Sequence, residues 1–251
     1  MGKLGTPEVV VQRSQSRFST NVAWLASRHC FSFGQHYDQT NTHFGLLMVS
    51  NDDIVAPGAG FDTHPHRDME IVTWVLSGSL VHQDSQGNNG VIYPGLAQRM
   101  SAGRGILHSE KNDSWRLTGT PAHCDPVHFI QMWVLPDTPG INPGYQQLDI
   151  NDQLDSTGLA VVASGLAEHS HTTAIRIAQS RAGLLAGRLA PGERQGLPTA
   201  PRLHLFVAVG AVELESGERL EAGDSARMSE SGGIAVTAGS AGAEILVWQM
   251  H

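Results

Sequence analysis

Several features that would place the chain in a particular class are scarce in its sequence. It has two cysteines, Cys30 and Cys124, too few for the disulfide framework of a small secreted domain. Charged residues make up 16% of the chain, against about 25% in an ordinary domain. No apolar run approaches the roughly 20 residues that cross a bilayer, and no apolar segment of the signal-peptide kind opens the chain. We therefore expect a cytoplasmic protein with reduced thiols and no contact with a membrane.

Positive charge is also scarce, with 16 Lys and Arg against 24 Asp and Glu and a formal net charge of −8. The basic residues form no runs. Binding to a phosphate backbone needs clustered cations, so this balance argues against a direct nucleic-acid partner and still permits a protein partner. The sequence also lacks a phosphate-binding loop, a dinucleotide fingerprint, a nucleophile elbow and paired zinc-type cysteines.

Glycine, by contrast, is abundant, with 28 residues. Turns containing Gly and Pro separate short apolar runs, a pattern that predicts strands rather than helices. The predicted strands of the first half are 44–49, 70–76, 79–82, 90–93, 98–100 and 127–135. Those of the second half are 159–162, 173–178, 183–189, 203–209, 211–214 and 244–248. Short strands at regular spacing are typical of a sandwich or barrel.

A stretch rich in Pro and Gly at 136–144 divides the chain into two halves of similar rhythm. The simplest interpretation is an all-β protein made of two tandem β-barrels. The first would comprise residues 1–138 and the second, an altered copy, residues 139–251. Residues 1–20 are polar and are expected to be loosely attached.

The strongest chemical signal lies in the first half. His64 and His66 are separated by one residue, and the same spacing recurs at His108 and Glu110. Because alternate side chains of a strand point to the same face, each pair would project into one space. Nitrogen ligands with a carboxylate suit Fe, Mn, Ni, Cu or Zn and leave a position open for catalysis. Glu70, an even number of residues beyond His66, competes with Glu110 for the carboxylate position.

Other residues near these pairs have two interpretations each. Gly103 and Gly105 are expected to adopt positive φ in the turn that aims His108 inward. His82 could reach the same cavity or lie on the surface. Arg67 and Arg104 could anchor an anionic or phenolic ligand or could be solvated rim residues.

Four segments together resemble the pirin family, a branch of the cupin superfamily of β-barrels. They are 27–34 (SRHCFSFG), 64–78 (HPHRDMEIVTWVLSG), 100–110 (MSAGRGILHSE) and 128–136 (HFIQMWVLP), and they cover most of residues 20–140 in the family's order. The resemblance implies two cupin barrels of the jelly-roll type, of which the first binds one divalent metal. That metal is usually Fe(II), although Zn, Ni, Mn, Co or Cu could also bind. By motif matching the ligands are His64, His66, His108 and Glu110, which leaves Glu70 a supporting or structural role.

A second His-x-His pattern, His169 and His171, is interpreted as a polar connector. No Gly-rich turn with His-x-Glu follows it, and only His204 and His251 remain downstream. In families of this type the C-terminal barrel has generally lost its metal. We therefore expect a degenerate second barrel without a metal site.

The resemblance implies an oxidoreductase, a quercetinase that opens a flavonol such as quercetin with O₂. In that reaction Glu110 could leave the metal and act as a general base. The alternative is a non-enzymatic, metal-dependent redox sensor or protein-binding regulator of the pirin type. A third hypothesis is a cupin that binds a metal but catalyses no reaction.

Overall fold

Almost all regular structure in the computed structural model, which describes residues 8–113, 123–156, 158–231 and 233–251, is antiparallel β-strand. The first strands are β1 (Glu8–Gln12), β2 (Phe18–Val22), β3 (Leu25–His29), β4 (Leu47–Val55), β5 (Gly60–His66), β6 (Glu70–Ser77), β7 (Leu80–Asp84), β8 (Asn89–Ile92), β9 (Leu96–Ser101), β10 (Ile106–Lys111) and β11 (Val127–Val134). The remaining strands are β12 (Gly144–Asp149), β13 (Ala160–Ser164), β14 (Ala182–Leu189), β15 (Arg194–Gly196), β16 (Ala200–Leu214), β17 (Arg219–Glu221), β18 (Ser225–Ser231) and β19 (Ala235–Met250). The prediction of an all-β protein is confirmed.

Helical structure is limited to short turns. A four-residue helix, α1 (Asn151–Leu154), follows β12. Single 3₁₀ turns lie at Ser14–Ser16 and Ala167–His169. None of the helices in the described ranges has the length and apolar character that crossing a membrane requires.

Two sheets build the first barrel. The larger has seven strands in the order β12-β9-β6-β11-β4-β3-β2, and the smaller has four in the order β5-β10-β7-β8. Both are antiparallel throughout the pairings described. Within the described part of the chain, β5 is an edge strand whose one partner is β10. This suits Pro65, since proline cannot donate to a ladder.

The second barrel is built on one eight-stranded sheet with the main order β1-β18-β16-β19-β14-β13. Strand pairing crosses the predicted boundary at residue 138 in both directions. β1, from the start of the chain, pairs with β18, and β12, from beyond the boundary, pairs with β9. Residues 8–20 are therefore not loosely attached, and the expectation was wrong for them; residues 1–7 lie outside the described residues. The division into 1–138 and 139–251 stays a prediction.

Two predicted features of the second half differ in the structure. Residues 173–178 form no strand, only an isolated bridge between Ala163 and Ile175. Their apolar pattern arises instead because Ile175 and Ile177 insert into the core shared by the two halves. The predicted break at Gly210 is a bulge inside the continuous strand β16, where the φ of Gly210 is +73° and the register with β19 shifts.

The apolar core explains how the two barrels differ. One cluster spans both halves and includes Trp74 and Met132 from the first with Phe206 and Trp248 from the second. The interior of the second barrel is filled by a separate aliphatic cluster that includes Leu203, Leu205, Val207, Met228 and Val247. The interior of the first barrel instead retains a row of polar side chains and a cavity.

Candidate metal centre and adjoining cavity

The three histidines of the predicted site lie on the two paired strands of the smaller sheet. His64 and His66 lie on β5, and His108 lies on β10, where it pairs directly with His64. The turn before β10 needs glycine: Gly103 has a φ of +48° and Gly105 of +137°, as predicted. A Cβ at Gly103 would lie 2.1 Å from the carbonyl oxygen of Ile141, so a larger residue there would displace the turn.

The structure brings the three imidazoles into a compact triangle. Ring centroids are 4.8 Å apart for His64 and His66, 4.4 Å for His64 and His108, and 4.8 Å for His66 and His108. One nitrogen from each ring lies within 4.8 Å of the other two. Such spacing allows three ligands to reach a single ion.

Hydrogen bonding distinguishes the two nitrogens of these rings. The Nδ1 of His64 donates to the carbonyl oxygen of Asp62 at 2.7 Å, which in the neutral ring leaves the lone pair on Nε2. The Nε2 atoms of His66 and His108 are buried and have no hydrogen-bond partner among the described residues. Buried polar atoms without partners are uncommon, and a cation would supply the missing interaction.

The protonation of the rings also suits metal binding, which requires neutral imidazole. Burial, followed by the charges of the neighbouring His108 and His64, lowers the pKa of His66 to about 4. Burial and the adjacent His64 likewise lower the pKa of His108 to about 3. Both rings are therefore neutral near pH 7.

Glu110 lies beside the triangle and is held by the larger sheet. One carboxylate oxygen of Glu110 lies within 4.8 Å of a ring nitrogen of His108 and of a ring nitrogen of His82. Glu110 is not part of the group formed by His64, His66 and His108. The Nε2 of Gln131 donates to both carboxylate oxygens at 2.9 Å. The indole N–H of Trp133 donates to Oε1 of Gln131 at 3.0 Å and so fixes the orientation of that amide. The four-residue ligand set stays a prediction.

His82 is a buried residue behind the triangle, not a surface imidazole. Its Nδ1 lies 3.5 Å from Nδ1 of His108, and its Nε2 lies 3.4 Å from Oδ2 of Asp84. Its ring stacks on Tyr145 with centroids 4.8 Å apart. Contacts of this kind, made to the ring nitrogen that does not bind the metal, orient a metal-ligating histidine.

Glu70 faces away from the triangle, although residue counting placed it on the same side. β5 ends at His66 and β6 begins at Glu70 in the other sheet, and between them Asp68 has a φ of +48°. Alternation therefore does not continue across this turn. The Oε2 of Glu70 accepts from the hydroxyl of Ser101 and from the amide of Ala178, both at 2.9 Å. Glu70 thus ties the second half of the chain to the first barrel.

A cavity of about 520 Å³ opens beside His64, His66 and Glu110. Its volume is in the range of small-molecule sites. Aromatic side chains form much of its wall, namely Phe33, Phe61 and Trp133. The ring of Trp133 meets His66 edge-on at 4.8 Å and Phe33 at 5.7 Å. Such walls suit a planar, apolar ring system.

Sequence reasoning missed the polar side chains that line the inner face of the larger sheet. Adjacent strands pair them in the order His29, Asn51, Gln131, Thr73 and Gln98, and all five are buried. A second, shorter row pairs Ser27 with Asp53. A polar residue at an inward position of an otherwise apolar strand, such as Gln131 in β11, was the available signal.

The part of the cavity lined by Ser27, His29, Asn51 and Asp53, on β3 and β4, is called here the polar end. The Nδ1 of His29 lies 2.9 Å from Oδ1 of Asn51, and the other ring nitrogen lies 2.9 Å from the hydroxyl of Thr20. Burial lowers the pKa of His29. It raises the pKa of Asp53 to about 7.

The remaining candidates lie away from the cavity. Arg67 is exposed and contacts Asp68, and Arg104 lies in the exposed turn before β10. In the second half, His169 lies on a 3₁₀ turn with its Nδ1 2.9 Å from the hydroxyl of Ser164, and His171 is exposed. The absence of metal from the second barrel stays a prediction.

Two family models match the chain. The model described as Pirin matches residues 10–134, and the model described as the quercetinase C-terminal cupin domain matches residues 161–250. The first covers the histidine triangle and most of its cavity. Together they confirm the expectation of two cupin barrels.

Similar proteins include one of Mycobacterium tuberculosis named "Putative quercetin 2,3-dioxygenase", 53% identical over 98% of this chain and 96% of its own. A quercetin 2,3-dioxygenase of Escherichia coli is 43% identical over 55% of this chain and 57% of its own. Among solved structures, the bacterial pirin YhhW from Escherichia coli in complex with nickel(II) superimposes with a TM-score of 0.84. It is 31% identical and covers 97% of this chain and 99% of its own.

Proposed function

Because the chain belongs to the pirin family, we propose that it is a metal-dependent dioxygenase that opens a flavonol such as quercetin with O₂. One observation carries the proposal: the imidazoles of His64, His66 and His108 form a compact triangle, with two partnerless Nε2 atoms, beside a cavity lined in part by aromatic side chains. The names of its relatives support the same substrate class.

The metal ligands in this proposal are His64, His66, His108 and Glu110. The partnerless Nε2 atoms of His66 and His108 fit a cation better than they fit a packed interior. Three nitrogens and one carboxylate suit a divalent transition metal, and we infer Fe(II). Zn, Ni, Mn, Co and Cu would also suit this set, and the nickel(II) complex of YhhW supports a transition metal in general.

A metal held there would supply Lewis acidity to a substrate oxygen. The protein's own residues would position the substrate and accept its proton. Glu110, positioned by the Gln131 amide, is placed to accept the proton of the substrate hydroxyl. Phe33, Phe61 and Trp133 hold the ring system and exclude water from it.

The test is aerobic and anaerobic incubation of quercetin with protein reconstituted with Fe(II). We expect about one metal ion per chain and bleaching of quercetin that requires O₂. His66→Ala should lose both metal and bleaching. If the protein binds metal but does not bleach quercetin with O₂ even at high protein concentration, the result favours the sensor function over the enzyme. A metal content near zero would refute the site.

We also infer that the protein works in the cytoplasm. Cys30 and Cys124 are both free thiols, and Cys124 is exposed. An exposed free thiol is typical of a reducing compartment. Alkylation of Cys124 in intact cells without prior reduction would test this, and a blocked or oxidised Cys124 would contradict it.

A further inference from the structure

The polar end of the cavity has no part in the chemistry proposed above. We propose that it is a hydrogen-bonding subsite for a second hydroxyl group of the substrate, with the Asp53 carboxylate as the acceptor. This rests on the proposed function, because it takes the first substrate oxygen to lie at the histidine triangle.

Asp53 has unused capacity to accept hydrogen bonds. It is 3% exposed, lies on β4 between Ser27 of β3 and Phe129 of β11, and lines the cavity. Ser27, which pairs with Asp53 across β3 and β4, acts to lower the pKa of this carboxyl and only partly offsets the effect of burial. One carboxylate oxygen, Oδ1, is buried without any partner among the described residues. A ligand hydroxyl would supply the donor that the protein does not.

Among the described residues, no Lys or Arg forms a salt bridge with this carboxyl. Arg17, a buried residue between the first 3₁₀ turn and β2, pairs instead with Asp52 at 2.8 Å. His128 also pairs with Asp52, at 2.6 Å. Burial accordingly raises the pKa of Asp53 to about 7. A buried carboxyl without a cation lowers stability, and such locally unfavourable groups are typical of binding sites.

The charge of the lining restricts the ligand class. Among the described residues that line the cavity there are two acids, Asp53 and Glu110, and no Lys or Arg. Arg67 and Arg104, the candidate anchors for an anion, lie outside it. The cavity therefore favours a neutral, planar phenol with hydroxyl groups at two separated positions over a carboxylated, sulfated or phosphorylated compound.

Binding of three flavonols to the metal-loaded protein without O₂ tests this. The probes are 3-hydroxyflavone, which has only the metal-binding oxygens, and its derivatives hydroxylated on the fused ring (3,5,7-trihydroxyflavone) or on the pendant ring (3,3′,4′-trihydroxyflavone). A hydrogen bond to a charged group corresponds to about tenfold or more in affinity. At least one derivative should therefore bind the wild type about tenfold more tightly than 3-hydroxyflavone.

Asp53→Leu should remove that advantage and leave the affinity for 3-hydroxyflavone within about twofold of wild type. Asp53→Asn, which keeps the shape and one acceptor oxygen, should retain part of the advantage and serves if the leucine variant does not fold. Asp125→Leu is the control, because Asp125 is exposed in the same barrel. Both Asp53 variants should also melt at a higher temperature than wild type, whereas a purely structural carboxyl would give the opposite shift.

The outcomes separate the two proposals. Equal affinity of the wild type for all three flavonols, or an equal loss for all three in Asp53→Leu, would overturn the subsite and leave the proposed function standing. Failure of all three to bind the metal-loaded wild type would overturn both.

Discussion

Replacing His82 by phenylalanine isolates the contact behind His108. The change removes both ring nitrogens of His82 and keeps a planar ring of similar size against Tyr145. The carboxylate of Asp84 keeps a hydrogen-bond partner, because its Oδ2 still accepts from Nδ2 of Asn88 at 2.9 Å. The His108 ring then has no partner at Nδ1 among the described residues to hold its orientation.

The geometry sets the size of the effect. Removing the residue that orients a metal-ligating histidine costs about 10- to 100-fold in metal affinity. The distance of 3.5 Å between the Nδ1 atoms of His82 and His108 is long for a hydrogen bond, so the lower end applies. We expect a loss of about tenfold, equivalent to about 1.4 kcal/mol.

Competition with a chelator of known affinity measures this loss, with Ni(II) as the metal. The urea unfolding of the metal-free variant should stay within about 1 kcal/mol of wild type, since the packing is kept. Tyr145→Phe is the matched control: it removes the hydroxyl that donates to Gln147 at 2.8 Å but leaves the ring on His82. A folded His82→Phe protein with wild-type metal affinity, or an equal loss in Tyr145→Phe, would refute the reasoning.

Three further predictions concern other parts of the molecule. His64→Ala should lower metal affinity at least tenfold and His169→Ala should leave it unchanged, as measured by metal content after dialysis; equal losses would contradict the choice of barrel. Because burial raises the pKa of Asp53 from 3.8 to about 7, wild-type stability falls between these pH values as the unfolded chain loses its proton first. Asp53→Asn should therefore match wild type near pH 4 and become more stable up to pH 7, by at most about 4 kcal/mol in urea unfolding; a difference independent of pH would contradict this. Trp74→Phe should destabilise the protein by about 2–3 kcal/mol, because the indole N–H donates to Oε1 of Glu244 at 2.7 Å and joins the two halves; an unchanged unfolding midpoint would show that this contact contributes nothing.

The sequence alone determined the fold class and the pairing of His64 with His66 on one face of a strand. The regular rhythm of short strands and turns determines the first, and spacing along one strand determines the second. His64 and His66 are two residues apart, and alternation along a strand places both on one face. Between His108 and Glu110 the register with β5 shifts, so spacing alone does not fix the position of Glu110. Glycines at 103 and 105 report the local backbone.

Tertiary structure alone decided which distant residues complete the site. Asp53 and Gln131 are 78 positions apart, yet strand pairing places both on the inner face of one sheet. Counting residues placed Glu70 on the wrong side, because the turn between β5 and β6 connects two different sheets and alternation does not continue across it. β1 likewise finds its partner more than 200 residues away, at β18. The periodicity of the sequence predicts which face of its own strand a side chain lies on. The register between strands decides which residues of other strands that side chain contacts.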